Sequence, residues 1–265
     1  MNDWPKTLAL AGAGKMGAAM LRGWLAGGLD PARVTLIEPH PSPELSALGL
    51  KLNPAALSAP DVLVLAVKPQ ALDAAAPLLQ DLAGPETLVV SVIAGKTIAN
   101  LAARFPGASA FVRVMPNTPA AVGRGAAAGA ANPATSPTQR RWTENLMRAV
   151  GIFDWVADES LIDAVTALSG SGPAYVFALV EAMAKAGEAV GLPTELAMRL
   201  ARATVEGAGE LMAREPATSA AILRQNVTSP GGTTAAALGV LQGELDALLT
   251  RAVTAARDRA QALGG

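Results

Sequence analysis

The sequence predicts an α/β protein, an N-terminal doubly wound sheet followed by an all-α C-terminal half. Three observations carry this reading. Over about the first 115 residues, short continuous apolar runs alternate with amphipathic segments, the pattern of parallel strands covered on both faces by crossover helices. A glycine-spaced stretch, GAGKMGAAM at 12–20, separates the first such run from the first helical one. Beyond Asp158 the strand period disappears and helix follows helix. The expected division is therefore residues 1–158 and 159–265.

Strands are expected at TLALA (7–11), VTLI (34–37), VLVLAV (62–67), LVVSVI (88–93) and FVRV (111–114). Helices are expected over 16–26, stopped by Gly27 and Gly28, then over 71–79 and 98–103. The charge-poor tract AAAGAANPATSP (126–137) reads as a strand and loop at the edge of the first domain. Ser136 before Pro137 reads as an N-cap with proline at the first helical position, Gly151 as the stop of that helix, and IFDWV (152–156) as a last strand. The later helices are expected over 161–168, 174–190 stopped at Gly191, 195–213, 220–225, and 234–262 with a break near Gly239 or Gly243. The segment AYVFALVEAMAKAGEAV is apolar on nearly all sides, as a helix buried in a large interface is. Either these helices dimerise or they pack back on the first domain.

Composition removes several classes of function. The 265 residues are 51% hydrophobic and 16% charged, a balance that supports a packed core. A net charge of −1 gives no basic field for nucleic acid and no polybasic patch for a membrane. With no cysteine, the chain has no thiolate site and no disulfide, and its single histidine cannot build a metal site alone or complete a Ser-His-Asp triad unaided. His40, between two prolines, reads as a surface-loop residue. The first residues, MNDWPK, lack the order of a signal peptide, and no apolar run reaches the length of a membrane span, so a cytoplasmic location is expected.

Gly12, Gly14 and Gly17 follow a strand and open a helix. An ordinary glycine-rich turn and a phosphate cradle both fit that motif alone. Context decides in favour of a Rossmann-type dinucleotide site, because Glu38 ends the second strand 21 residues after Gly17, where a carboxylate accepts hydrogen bonds from the adenosine ribose. AVKPQ (66–70) and SVIAG (91–95) follow the third and fourth strands, at the edge where ligands of such sheets bind. Lys68 there is either a cation beside the cofactor or a solvated turn lysine.

Five stretches together resemble the pyrroline-5-carboxylate reductase family: GAGKMGAAM (12–20), AVKPQ (66–70), VRVMPNTPAAVGRG (112–125), DAVTALSGSGPAYVF (163–177) and VTSPGGTTAAAL (227–238). They span almost the whole chain in the family's order. The resemblance implies a C-terminal helical domain that intertwines in a dimer, often with higher assembly of dimers. It implies reduction of L-1-pyrroline-5-carboxylate to L-proline by NADPH or NADH, the last step of proline biosynthesis. Family cofactor contacts match Ala13, Gly14, Lys15, Met16, Gly17, Asn53, Ala66, Val67, Lys68, Pro69, Ile93, Ala94 and Asn226. Family substrate contacts match Glu159, Thr233 and Thr234.

Two stretches depart from the family. The loop after the second strand reads EPHPSP, with no arginine to accept a 2′-phosphate, so NADH is expected to serve at least as well as NADPH. TSAAILRQN, ahead of the substrate loop, also differs from the common pattern.

The chemistry asks little of side chains. A cyclic imine needs a hydride at carbon and a proton at nitrogen, and it is basic enough that its iminium is accessible near neutral pH. The TSPGGTT loop, through Ser229, the Gly231 and Gly232 amides and the Thr233 and Thr234 hydroxyls, suits a substrate carboxylate at a helix N-terminus. Thr234 either caps that helix or orients a proton relay at the ring nitrogen. Glu159 either reaches the substrate amine or is an acid at the start of its own helix. A 6-phosphogluconate-type dehydrogenase needs a lysine base in the helical half, where Lys185 stands alone without a partner motif. A nucleotide-binding scaffold without turnover has no need of the TSPGGTT loop.

Overall fold

The computed structural model describes residues 3–264. They form two compact units, residues 3–171 with 256–264, and residues 172–255. Strands end near 158, as the sequence pattern requires, yet compactness continues to 171. The reason is packing: Ile162 joins Met115 and Ala130 in a small buried cluster on the sheet.

The sheet of the first unit contains β1 (Leu8–Ala11), β2 (Val34–Ile37), β3 (Lys51–Leu52), β4 (Val62–Leu65), β5 (Leu88–Ser91), β6 (Ala110–Met115), β7 (Gly125–Ala131) and β8 (Gly151–Trp155). Their spatial order is β3-β2-β1-β4-β5-β6-β7-β8. Strand pairs from β3 to β6 are parallel, β6 and β7 are antiparallel, and β7 and β8 are parallel. The order reverses between β1 and β4, where Leu8–Ala11 is in register with Val34–Ile37 on one side and Val62–Leu65 on the other. This is the switch point at which a doubly wound sheet leaves a crevice beyond its carboxyl edge.

Alternation along each strand sends one set of side chains to each face, and both sets are apolar because both faces are covered. On one face Leu8, Leu10, Val62, Val64, Val90 and Val112 pack against Met20, Leu21 and Trp24 of α1 (Lys15–Ala26) and Leu146 and Met147 of α5 (Pro137–Arg148). On the other, Leu63, Leu65, Val89 and Phe111 meet Leu72, Ala76 and Leu79 of α3 (Leu72–Leu79), and Leu101 of α4 (Ile98–Arg104) with the following Phe105. Each buried valine, leucine, methionine or phenylalanine among them contributes about 1.5–3 kcal/mol by leaving water. Trp24 also has its polar atom satisfied: the indole N–H donates to the Leu146 carbonyl at 2.8 Å.

Helix α5 starts as expected. Ser136 Oγ accepts from the Gln139 N–H and Gln139 Oε1 accepts from the Ser136 N–H, a capping box with Pro137 at the first position. Its end differs, since the helix closes at Arg148 and Gly151 opens β8 instead of stopping the helix. Strand β3 and the single turn α2 (Pro43–Ser46) were not expected from sequence; neither is long enough to display a period. The expected helix over 161–168 is α6 (Leu161–Val165) followed by a π turn over Thr166–Gly170, closed by the Ser171 N–H on the Thr166 carbonyl.

The second unit consists of α7 (Gly172–Ala189), α8 (Thr194–Arg214), α9 (Ala220–Asn226) and α10 (Thr233–Gly264) up to residue 255. No break occurs at Gly239 or Gly243. An internal glycine costs about 1 kcal/mol relative to alanine, which a helix of 32 residues absorbs when no proline or left-handed residue interrupts it. Helices α7 and α8 pack closely through small residues; the Gly187 position lies against Ala197. Within this unit only Ala184, Ala197 and Ala201 are buried apolar residues, whereas Phe177, Val190, Val240, Leu241 and Leu248 are exposed. Among the described residues, no helix is long and apolar enough to cross a membrane.

Candidate active site

The glycine loop lies at the switch point between β1 and β4. Gly12 has φ +92°, which side-chain-bearing residues rarely adopt, and a Cβ there would stand 2.8 Å from the Ala66 carbonyl carbon and oxygen and 2.9 Å from the Val67 nitrogen. A Cβ on Gly17 would collide with the Gly12 carbonyl, so this helix residue is small to let α1 start close to the strand. Gly14 is the opposite case: a Cβ there meets nothing within 4 Å. Two glycines serve protein packing and the middle one leaves an open approach.

That approach leads to the N-terminus of α1. Gly14 is its N-cap, no side chain caps it, and no acid lies in its first turn. The first intrahelical bond of the loop runs from the Ala18 N–H to the Gly14 carbonyl, so the Lys15, Met16 and Gly17 amides precede it. With the helix dipole and the exposed Lys15 ammonium, the end of α1 offers donors and positive potential to an anion. These residues fit a dinucleotide pyrophosphate.

Glu38 closes the other side. Its Oε2 accepts from the Ala13 N–H at 2.7 Å and its Oε1 from the His40 N–H at 3.1 Å. Asn53 fixes the backbone beneath it, with Oδ1 accepting from the Glu38 N–H at 2.9 Å and Nδ2 donating to the Glu38 carbonyl at 2.8 Å. The Asn53 N–H continues the β2–β3 ladder to the Leu36 carbonyl. Ala13, Glu38 and Asn53 are thereby brought together, and each oxygen of the Glu38 carboxylate keeps further accepting capacity for a ribose hydroxyl.

Ala66, Val67, Lys68 and Pro69 leave the end of β4, with Lys68 exposed ahead of a 3-10 turn over Pro69–Ala71. Ile93 and Ala94 leave the end of β5, Ile93 buried and Ala94 exposed. The loop ends at Thr97, which caps α4 in a capping box with Asn100.

Glu159 does not serve the start of its own helix. Asp158, in the turn before that helix, accepts from the Ser160 N–H at 2.7 Å; hydrogen bonding from Ser160, backbone first and then side chain, holds the Asp158 carboxyl below the usual carboxylate range. Glu159 Oε1 instead accepts from the Ile98 N–H at 2.8 Å, at the first residue of α4, and lies 3.3 Å from Arg113 Nη1. Arg113 Nη2 donates to Asp163 Oδ1 at 2.9 Å. Arg113 stands in β6 and is only 3% exposed. Asn117, also buried, donates from Nδ2 to the Ser169 carbonyl in the π turn and accepts from the Ala126 N–H, joining the MPNTP and SGSGP stretches. Sequence reasoning passed over Arg113, Asp163 and Asn117. The signal for Arg113 was present, a cation inside the otherwise apolar run FVRVM.

The remaining residues expected from sequence, Asn226 and Ser229 to Thr234, lie in the second unit. Asn226 is the last residue of α9. Gly231 has φ +69° and turns the chain, and the Gly232 N–H closes that turn on the Ser229 carbonyl at 3.0 Å. The Gly232 amide is therefore occupied, unlike the expectation from sequence. The Thr233, Thr234 and Ala235 amides precede the first intrahelical bond of α10, from the Ala236 N–H to the Gly232 carbonyl.

Two family models match this chain: pyrroline-5-carboxylate reductase dimerisation over residues 159–263, and NADP oxidoreductase, coenzyme F420-dependent, over residues 7–95. The pyrroline-5-carboxylate reductase of Pseudomonas aeruginosa is 41% identical over 97% of this chain and 96% of its own length. The chain belongs to the pyrroline-5-carboxylate reductase family. The family's enzyme from Synechocystis is 40% identical over 97% of this chain and 98% of its own. A solved pyrroline-5-carboxylate reductase of Coxiella burnetii superposes with a TM-score of 0.91 at 38% identity, covering 98% of this chain and 99% of that one. A Plasmodium falciparum pyrroline carboxylate reductase, solved with NADP bound, gives 0.78 at 28% identity over 98% of both chains. The dimerisation model accounts for the exposed apolar residues of α7 to α10, and the chain forms a homo-oligomer.

Proposed function

We infer that this chain reduces L-1-pyrroline-5-carboxylate to L-proline with NADH or NADPH, the step that completes proline synthesis. The observation that carries the reading is the uncapped glycine loop at the switch point of a chain that matches this reductase family over its whole length. The bound reduced nicotinamide supplies the hydride.

The protein's part is to bind and orient. Gly12, Ala13, Gly14, Lys15, Met16 and Gly17 take the pyrophosphate, Glu38 and Asn53 the adenosine ribose side, and Ala66, Val67, Lys68, Pro69, Ile93, Ala94 and Asn226 the rest of the cofactor. The Thr233 and Thr234 amides and hydroxyls, with Ser229, Gly231 and the turn that Gly232 closes, hold the substrate carboxylate at the N-terminus of α10. Glu159 faces the protonated ring nitrogen, and Thr234 orients the proton there. Holding the two reacting carbons in a near-attack geometry replaces roughly 7–11 kcal/mol of barrier in favourable cases.

Glu38 supports NADH as a cofactor at least as good as NADPH. A 2′-phosphate meets its negative charge, and residues 39–50 contain no lysine or arginine to offset it. Two copies pair through the helical unit, and the hollow between α7 and α8, lined by Val176, Phe177, Val180 and Met198, is covered by the second copy. Dimers assemble further.

One assay tests the reading: the fall in NADH and NADPH absorbance with pyrroline-5-carboxylate, against an open-chain 2-hydroxy acid with the oxidised cofactors. Turnover of the cyclic imine alone is expected. Cofactor binding without consumption returns the chain to a scaffold role, and oxidation of the hydroxy acid to the dehydrogenase class.

A further inference from the structure

The sheet contains a buried ionic cluster, Arg113 with Glu159 and Asp163. Arg113 sits among the five apolar residues of β6, and all six residues of the strand are buried. Its Nε is buried without a partner, while Nη1 and Nη2 are committed to Glu159 and Asp163. Taking a guanidinium from water costs several kcal/mol, and buried ion pairs are often replaced by apolar residues with no loss of stability. Such a cluster calls for a different explanation.

The geometry supplies one. Both donors to Glu159 converge on Oε1: the Ile98 N–H at the start of α4 and Arg113 Nη1. Among the described residues nothing donates to Oε2. Ile98 follows by four residues the Ala94 of the β5 loop, at the carboxyl edge of the sheet. The carboxylate is therefore pinned by one oxygen at that edge, with the other left to accept.

We propose that Arg113 is a positioning residue for the reduction: together with the α4 N-terminus it fixes Glu159 so that Oε2 meets the N–H of the substrate's cationic C=N bond. Asp163, on the other arm of the guanidinium, sets the arginine's orientation. The proposal rests on the reading of Glu159 as a substrate contact and adds the group that aims it.

The test is a double-mutant cycle on the full-length enzyme, read as KM and kcat for pyrroline-5-carboxylate, KM for NADH, and thermal midpoint. Glu159→Gln is expected to lower kcat/KM for the imine about tenfold, the loss of one charge-assisted hydrogen bond. Arg113→Lys is expected to lower it severalfold alone and not at all in the Glu159→Gln background, with KM for NADH unchanged. Asp163→Asn, which keeps the arginine, is expected to give a smaller loss that Glu159→Gln also abolishes, and it serves if Arg113→Lys folds poorly. Losses that multiply in the double variants, or that fall equally on NADH, overturn the positioning role and leave Glu159 in place. An unchanged Glu159→Gln enzyme removes Glu159 from the site, and the proposal with it.

Discussion

The Glu38 carboxylate accepts a 2.7 Å hydrogen bond from the Ala13 N–H, so the acid at the end of β2 is tied to the turn between Gly12 and Gly14. Glu38 and the glycine loop are thus parts of one hydrogen-bonded unit. Replacing Glu38 with glutamine removes the charge that opposes a 2′-phosphate and keeps an acceptor for Ala13. The ratio of kcat/KM for NADH to that for NADPH is expected to fall about tenfold or more, roughly one charge-assisted contact. Steady-state kinetics with both cofactors check this, and an unchanged ratio places the discrimination elsewhere.

Gly12 and Gly14 separate packing from binding. Gly12→Ala forces a Cβ onto the Ala66–Val67 peptide at a φ of +92°, and is expected to lower the thermal midpoint by several degrees, in line with a strained core substitution. Gly14→Ala meets no protein atom, so the midpoint of the ligand-free protein is expected to hold while KM for NADH rises. Differential scanning fluorimetry with and without NADH distinguishes the two.

Thr234 lies in the first turn of α10, after the turn that Gly232 closes on Ser229. Thr234→Ala is expected to reduce kcat by about 10²-fold, the lower end of what a positioned proton-transfer group contributes, with little change in the Kd of NADH. Unchanged turnover removes Thr234 from the proton path.

Asp73 gives a pH-dependent signal. The Arg104 guanidinium, first by hydrogen bond and then by charge, holds its carboxyl below the usual range, with Lys96 adding to the effect. A carboxyl whose folded value is depressed contributes stability above its unfolded value and loses that contribution as pH falls through the folded one. Arg104→Gln is expected to return the Asp73 carboxyl toward the usual range. NMR titration of the side-chain carboxyl follows this between roughly pH 2 and 5.

The apolar face of the helical unit tests assembly. Val240 and Leu241 are exposed on α10. Val240→Asp with Leu241→Asp is expected to lower the mass measured by light scattering toward that of one chain, because a charge buried in an apolar interface costs several kcal/mol.

Most of the sheet was legible because the strands are short continuous apolar runs, and the dinucleotide site was read from one glycine spacing and Glu38. What escaped depends on contacts distant in sequence. Lys51–Leu52 becomes a strand only because β2 lies beside it, with Asn53 extending the pairing. Glycines at 239 and 243 read as breaks because local propensity was weighed without the rest of a long helix. Glu159 was left open between a substrate contact and a helix-start acid, because nothing local shows that it reaches Ile98, 61 residues away. Arg113 was visible as an anomaly in β6, but its two carboxylate partners come from a segment 46 and 50 residues later.

All four tryptophans, Trp4, Trp24, Trp142 and Trp155, belong to the sheet-containing unit, and Trp24 is wholly enclosed there. Tryptophan emission consequently arises in that unit, and α7, α8 and α9 contain no tryptophan. Melting curves followed by tryptophan emission therefore draw their signal from the sheet-containing unit, and the helical unit carries an emitter of its own, the single tyrosine Tyr175 on α7.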